Sequence, residues 1–159
     1  MRTRFSLAAA LLGALLVLGC GQPAAPTKAT PEKKDDGDHE HGPGPHDGTI
    51  FEFGAFHGEF CMNHKEKKAT VYILDGKKGT KVEPVTAEML LLSIKSPMFQ
   101  VELTPLPLAT DPAGKSSRFV AVHENFGKEQ EFAGTVSGKV NGTDYAEDFA
   151  EKAHDHGKK

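Results

Sequence analysis

From residue 49 onward, apolar and polar side chains alternate in short runs broken by Gly, Pro, Asn and Asp. A period of two is the mark of a strand with one buried face. Residues 50–53 and 56–62 read as two strands joined through Gly54-Ala55. Residues 69–74 (Ala-Thr-Val-Tyr-Ile-Leu) are rich in β-formers and stop at Asp75-Gly76, a turn pair. Residues 82–85 read as a short edge strand, because Pro84 has no N–H to give a central ladder. The Leu run of 88–95 would suit a short helix. The alternate placing of Leu90, Leu92 and Ile94, with Pro97 close behind, favours a strand. Residues 99–103 set Val101 and Leu103 opposite Gln100 and Glu102, and 119–123 form a further strand. Residues 131–140 and 143–149 flank Asn141-Gly142, the strongest hairpin signal in the chain. Short strands spaced by turns in this way predict an all-β fold, an antiparallel two-sheet β-sandwich of immunoglobulin-like kind over residues 49–150.

The first 48 residues follow other rules. Arg2 and Arg4 precede an uninterrupted apolar run over residues 7–18, which ends in Val17-Leu18-Gly19-Cys20. The run is too short to span a bilayer and reads as a secretion signal over residues 1–19. A small residue directly before Cys20 resembles a bacterial lipobox, in which the Cys becomes diacylglyceryl-modified. Cys20 is therefore the expected lipidation site, and its acyl chains the expected membrane anchor. Residues 21–48 hold five Pro and no large apolar side chain, so residues 20–48 are expected to be a disordered tether. Residues 151–159 form a polar tail. The expected location is the bacterial cell envelope, facing the periplasm or the exterior.

Composition narrows the function. The chain has 159 residues, 26% of them charged, with no Trp and two Cys, which is one domain's worth. With 19 Lys and Arg against 22 Asp and Glu the net charge is −3; loss of Arg2 and Arg4 with the signal leaves 17 against 22, or −5. No basic field offers itself to a nucleic acid. With Cys20 lipidated, Cys61 is the remaining thiol and no intramolecular disulfide can form.

Histidine is the main chemical signal. Of eight His, five lie in the polar ends: His39, His41, His46, His154 and His156, with acidic neighbours. Neutral imidazole suits Zn, Ni, Co and Cu(II), and adjacent carboxylates add charge and oxygen donors. Solvated polar tails are the plainer account of the same residues. A second cluster lies inside the domain, His57-Gly58-Glu59-Phe60-Cys61-Met62-Asn63-His64. On a strand His57, Glu59 and Cys61 share one face while Phe56, Phe60 and Met62 take the other. His46 before the first strand and His64 at the strand's end are placed to close a site on that face. The plainer account leaves the three residues merely exposed or half-buried beside a Phe-bearing core face. His123 reads as a partly buried histidine with its own hydrogen-bond partner.

Residues 109–116 (Ala-Thr-Asp-Pro-Ala-Gly-Lys-Ser) match a permissive phosphate-loop pattern. That chemistry requires a buried strand before it and a helix after it. Here Thr104-Pro105-Leu106-Pro107 precedes and Arg118-Phe119-Val120 follows, so the segment reads as a turn. No nucleophile or general-base set is visible, and an enzyme is not expected.

His46-Asp47-Gly48, Phe56-His57-Gly58-Glu59-Phe60, residues 70–75 and residues 111–119 together resemble a group of small bacterial His-rich lipoproteins. These in turn are similar to the N-terminal module of periplasmic adaptor subunits of cobalt-zinc-cadmium efflux pumps. The resemblance implies a metal-handling role, matches His46, His57 and Glu59 as ligand positions, and implies an efflux adaptor or another envelope protein as partner. Cys61 stands where the pattern has an aliphatic residue. The leading expectation is a membrane-tethered lipoprotein that binds a divalent transition metal (Zn, Cu, Ni or Co) and buffers it or passes it to an efflux system. The other is a β-sandwich interaction module with no metal role. The expected metal residues are His46, His57, Glu59, Cys61 and His64, with His39, His41, His154 and His156 in the ends.

Overall fold

The computed structural model describes residues 43–151. Cys20, His39, His41, His154 and His156 lie outside the described residues, as do the expected signal and the tether up to residue 42. The described chain is all-β apart from one turn of 3-10 helix, Glu124–Gly127. Its strands are β1 (Thr49–Phe53), β2 (Phe56–Asn63), β3 (Lys68–Leu74), β4 (Leu90–Ile94), β5 (Phe99–Pro105), β6 (Arg118–Val122), β7 (Ala133–Val140) and β8 (Thr143–Ala150).

All eight strands belong to one antiparallel sheet in the order β1-β2-β3-β6-β5-β4-β7-β8. The division into two sheets expected from the sequence is not found. The reason lies in β5. Its residues 99–103 pair with β4, while Thr104 and Pro105 pair with Val120 and Phe119 of β6. One strand thus carries the ladder across the corner where a sandwich would break it. The sheet curls until β1 and β8, at the two ends of the order, approach each other without a ladder between them. Aromatic rings fill that seam: Phe51 and Phe149 lie 5.8 Å apart between centroids, and Phe53 and Tyr145 5.6 Å. The result is a nearly closed barrel.

The alternation read from the sequence decides which side chains fill the interior. Phe51, Phe53, Phe60, Val71, Ile73, Leu90, Leu92, Leu103, Phe119, Val136 and Phe149 all lie in the core. The 88–95 segment is a strand, with Leu90, Leu92 and Ile94 buried. Residues 82–85 make only isolated bridges, Leu74 to Val82 and Val85 to Ser116. β6 stops at Val122. His123 leaves the strand because its Nδ1 accepts the Asn125 N–H and caps the 3-10 turn, while its ring stacks on Phe99 at 4.3 Å. Asn141 and Gly142 take φ of 50° and 86°, the left-handed pair of a tight hairpin.

The folded region begins before Thr49. Residues 44–48 form a turn closed by the Gly44 N–H to the Gly48 carbonyl (2.9 Å) and the Asp47 N–H to the Gly44 carbonyl (3.0 Å). This turn lies on the outer face of β2. A second loop, residues 75–81, covers the same face further along, stapled by Asp75 Oδ1 on the Thr80 and Lys81 N–H groups. These two coverings bury polar residues that an uncovered strand would leave in water.

Candidate functional site

β2 sends His57, Glu59 and Cys61 outward and Phe60 inward, as the strand period requires. Glu59 is nevertheless completely buried. The 44–48 turn lies over it and supplies the donors. Glu59 Oε1 accepts the backbone N–H of His46 at 2.7 Å and of Gly48 at 2.9 Å. Oε2 lies 2.6 Å from His46 Nδ1. Close packing demands small residues in the turn. A Cβ on Gly44 would overlap Glu59 Oε1, and one on Gly48 would sit 2.5 Å from Cys61 Sγ. The His46 ring lies flat on Tyr72, with centroids 3.7 Å apart and planes 5° apart. Tyr72 is the register partner of Glu59 on β3, so strand pairing itself sets ring and carboxylate side by side.

This arrangement fixes the His46 tautomer. A carboxylate accepts, so in the neutral ring Nδ1 carries the proton and Nε2 the lone pair. Among the described residues nothing engages Nε2. The side chain is 32% exposed. A histidine held through its other nitrogen by a buried carboxylate has the support that metal-binding imidazoles use.

Cys61 is half-buried next to this dyad, its Sγ 3.7 Å from the His46 carbonyl oxygen. Burial pushes its thiol up to about 12, with the charge and hydrogen bond of Glu59 and the charges of Asp47 and Glu151 adding to the rise. Thr49 of β1 pairs with Phe60, whose ring stacks on Phe149 at 4.3 Å, so the start of β1 and the end of β8 lie together. Both ends of the described chain therefore leave at the same end of the barrel.

The structure divides the ligand set expected from the sequence. His46 and Glu59 meet, with Cys61 beside them. His57 belongs to a different environment. Its Nδ1 donates to the Asp75 carbonyl at 3.0 Å, and its Nε2 lies 3.5 Å from Glu52 Oε1. His64 is separate again, with Nδ1 2.8 Å from the Phe126 carbonyl oxygen. Among the described residues no three His, Cys, Asp or Glu side chains gather as a metal-holding group. Glu52 and Tyr72 were not singled out from the sequence. The two-residue turn Gly54-Ala55 carries the signal for Glu52, because it fixes a register in which Glu52 faces His57.

The phosphate-like segment is a loop organised by one carboxylate. Asp111 accepts the Leu108 N–H at 2.9 Å, the Ser117 N–H at 2.8 Å and the Ser117 hydroxyl at 2.9 Å. Where β4 begins and β7 ends, an open groove of about 440 Å³ is lined by Ala87, Met89, Leu91, Ser137, Gly138 and their neighbours. Comparisons with protein-family models, curated protein sequences and solved structures find no match to this chain.

Proposed function

We propose that this protein is a lipid-tethered envelope protein that captures a divalent transition metal where its His-bearing ends enter and leave the barrel. The observation that carries this reading is the His46–Glu59 dyad. It holds one imidazole by Nδ1 on a buried carboxylate, on a side chain that is partly exposed. Imidazole with carboxylate donors favours Zn, Ni, Co or Cu(II) over Mg or Ca. His41 lies five residues before His46 in the chain, and His154 follows Glu151 by three. Chain connectivity alone keeps them within roughly 10–18 Å of those residues. Asp47 and Glu151 add negative charge at the same end. In this reading His46 is the fixed donor and the His of the two ends complete the coordination. Cys20 would carry the anchor, and an efflux adaptor or other envelope protein would receive the ion.

The test is isothermal titration of the chain from Gly21 onward, untagged and reduced, with Zn, Cu, Ni and Co. Micromolar binding that His46→Ala weakens at least tenfold supports a donor on the folded domain. Binding that survives His46→Ala but is lost when His39, His41, His154 and His156 are replaced reduces the reading to a charged tail. No binding of any ion overturns it. The groove beside Met89 and Leu91 favours the second reading, an interaction module, and Leu91→Asp would then abolish crosslinking to an envelope partner while leaving metal titrations unchanged.

A further inference from the structure

We propose that the split between β5 and β6 is a docking edge for an extended segment of a partner protein, which adds to the sheet as a strand and carries aliphatic and basic side chains in alternation. The Leu106 N–H bonds the Arg118 carbonyl at 2.8 Å, and Thr104 pairs with Val120. Every second residue of a strand turns its backbone N–H and C=O toward the same neighbour. Gln100 and Glu102 of β5 and Val122 of β6 therefore present theirs to the gap beyond Thr104. None of the three has a ladder partner on that side among the described residues. The cause is local. His123 leaves β6 to cap the 3-10 turn, and its N–H goes to the Lys67 carbonyl at 3.0 Å, on the β3 side. The end of β6 is thus held by β3, and β5 runs on without it.

Open sheet edges are normally blunted by Lys, Pro or a bulge. Residues 99–103 are Phe-Gln-Val-Glu-Leu and pair with β4 in unbroken register, so β5 has none of these devices. The two most exposed large apolar side chains among the described residues flank the gap. Met98 stands at its β5 end, 89% exposed, and Val122 on its β6 side, 67% exposed. Apolar groups left open together mark a contact surface. The seam between β1 and β8 differs, because its own rings fill it. The unpaired backbone groups specify an extended chain as occupant, and the two faces of β5 specify its side chains. On the inner face, half-buried Phe99 and Val101, with His123 stacked on Phe99, make an apolar floor for aliphatic residues. On the outer face Glu102 is exposed, and among the described residues nothing pairs with its carboxylate, so the intervening residues are basic. This edge gives the interaction reading above a site and a partner chemistry, and it is independent of the metal reading.

The probe is a synthetic peptide, Lys-Val-Lys-Val-Lys-Val-Lys, added to the full chain in zwitterionic detergent micelles, with amide hydrogen exchange followed by nuclear magnetic resonance. The expected result is exchange at the Glu102 and Val122 amides at least about tenfold slower with the peptide than without it. Glu102→Lys removes that protection. Glu102 is exposed, so this variant keeps the fold, and an unchanged circular dichroism melt verifies it. The same peptide with alternate amides N-methylated keeps its side chains, loses its donors and gives no protection. No protection at millimolar peptide overturns the edge. So does equal protection by the N-methylated peptide, since side chains then adhere without a ladder. Protection at Ser137 and Gly138 with none at Val122 places the peptide in the groove, overturning this edge and leaving the interaction reading. Protection that grows with protein concentration and needs no peptide makes a second copy of the chain the occupant and overturns the partner segment.

Discussion

The Glu59 carboxylate accepts from His46 twice, once at the backbone N–H (2.7 Å) and once at ring Nδ1 (2.6 Å). A third bond comes from the Gly48 N–H. A buried carboxylate is tolerable only when its lone pairs are occupied, and three donors from one five-residue turn occupy them. The same bonds tie the segment that leads in from the N-terminus onto the barrel wall. The motif His46-Asp47-Gly48 with Glu59 is thus a structural clasp as well as a proposed ligand support. Support for an imidazole and attachment of the turn come from one side chain.

Removing the acceptor costs more than removing the ring. Glu59→Ala strands two backbone N–H groups and the His46 ring against an apolar wall, a loss of about 2–4 kcal/mol. His46→Ala leaves Glu59 with both backbone donors and costs about 1 kcal/mol. Urea unfolding monitored by circular dichroism will show the midpoint falling in that order. Equal losses for the two variants would mean that the ring, and not the backbone, holds the turn.

Two glycine substitutions separate close packing from backbone conformation. Gly48→Ala drives a methyl to 2.5 Å from Cys61 Sγ and 2.8 Å from Glu59 Cγ. Overpacking of that kind costs about 1–3 kcal/mol and should lift the turn. Gly142→Ala meets nothing within 4 Å, but its φ of 86° disfavours a side chain by about 1–2 kcal/mol. Hydrogen exchange distinguishes them. The His46 and Gly48 amides should exchange faster in Gly48→Ala and at the native rate in Gly142→Ala.

Much of this architecture is legible in the chain. The alternation around Phe51, Val71, Leu92 and Val136 identifies both strand positions and core faces, because a strand's period is local. The curl into one barrel is not legible, since it depends on β5 changing partner at Thr104, a tertiary choice with no local mark. The outward side of His57, Glu59 and Cys61 is also readable from the period. Their burial is not. Pro43, Gly44, Pro45 and Gly48 read as tether because they carry no apolar side chain, yet the turn attaches through amide hydrogens and one imidazole, which hydropathy does not register. Asp111 likewise sits in a segment whose composition says loop but not which carboxylate organises it.

That carboxylate gives a pH prediction. Burial beneath its loop is the largest influence on Asp111 and pushes its pKa upward. The Ser117 and Leu108 N–H groups, the Ser117 hydroxyl and the nearby Arg118 together outweigh it and hold the group below the ordinary carboxylate value. A lowered value means that the unfolded chain binds the proton more readily. The stability contributed by Asp111 is therefore full above about pH 4 and lost as the pH falls further, through the folded value. Urea midpoints of the protein and of Asp111→Asn, measured from pH 7 downward, should converge on the acid side. A gap independent of pH would show that the hydrogen bonds do not favour the ionised form.

Cys61 yields the opposite sign. With its pKa pushed up to about 12, the thiol stays protonated throughout the neutral range. An ordinary cysteine ionises near pH 8.5–9, so the native thiolate population is on the order of a thousandfold smaller. Iodoacetamide at pH 8 should modify native Cys61 at least about a hundredfold more slowly than the urea-unfolded chain. A raised value also ties stability to alkali. The folded state keeps its proton where the unfolded state has released it, so stability is complete below about pH 9 and falls as the pH rises toward 12. Cys61→Ser should flatten that alkaline decline. Rapid native alkylation at pH 8 would show that the thiol is ionised or open to solvent, and that burial, with Glu59, Asp47 and Glu151 beside it, does not hold it protonated.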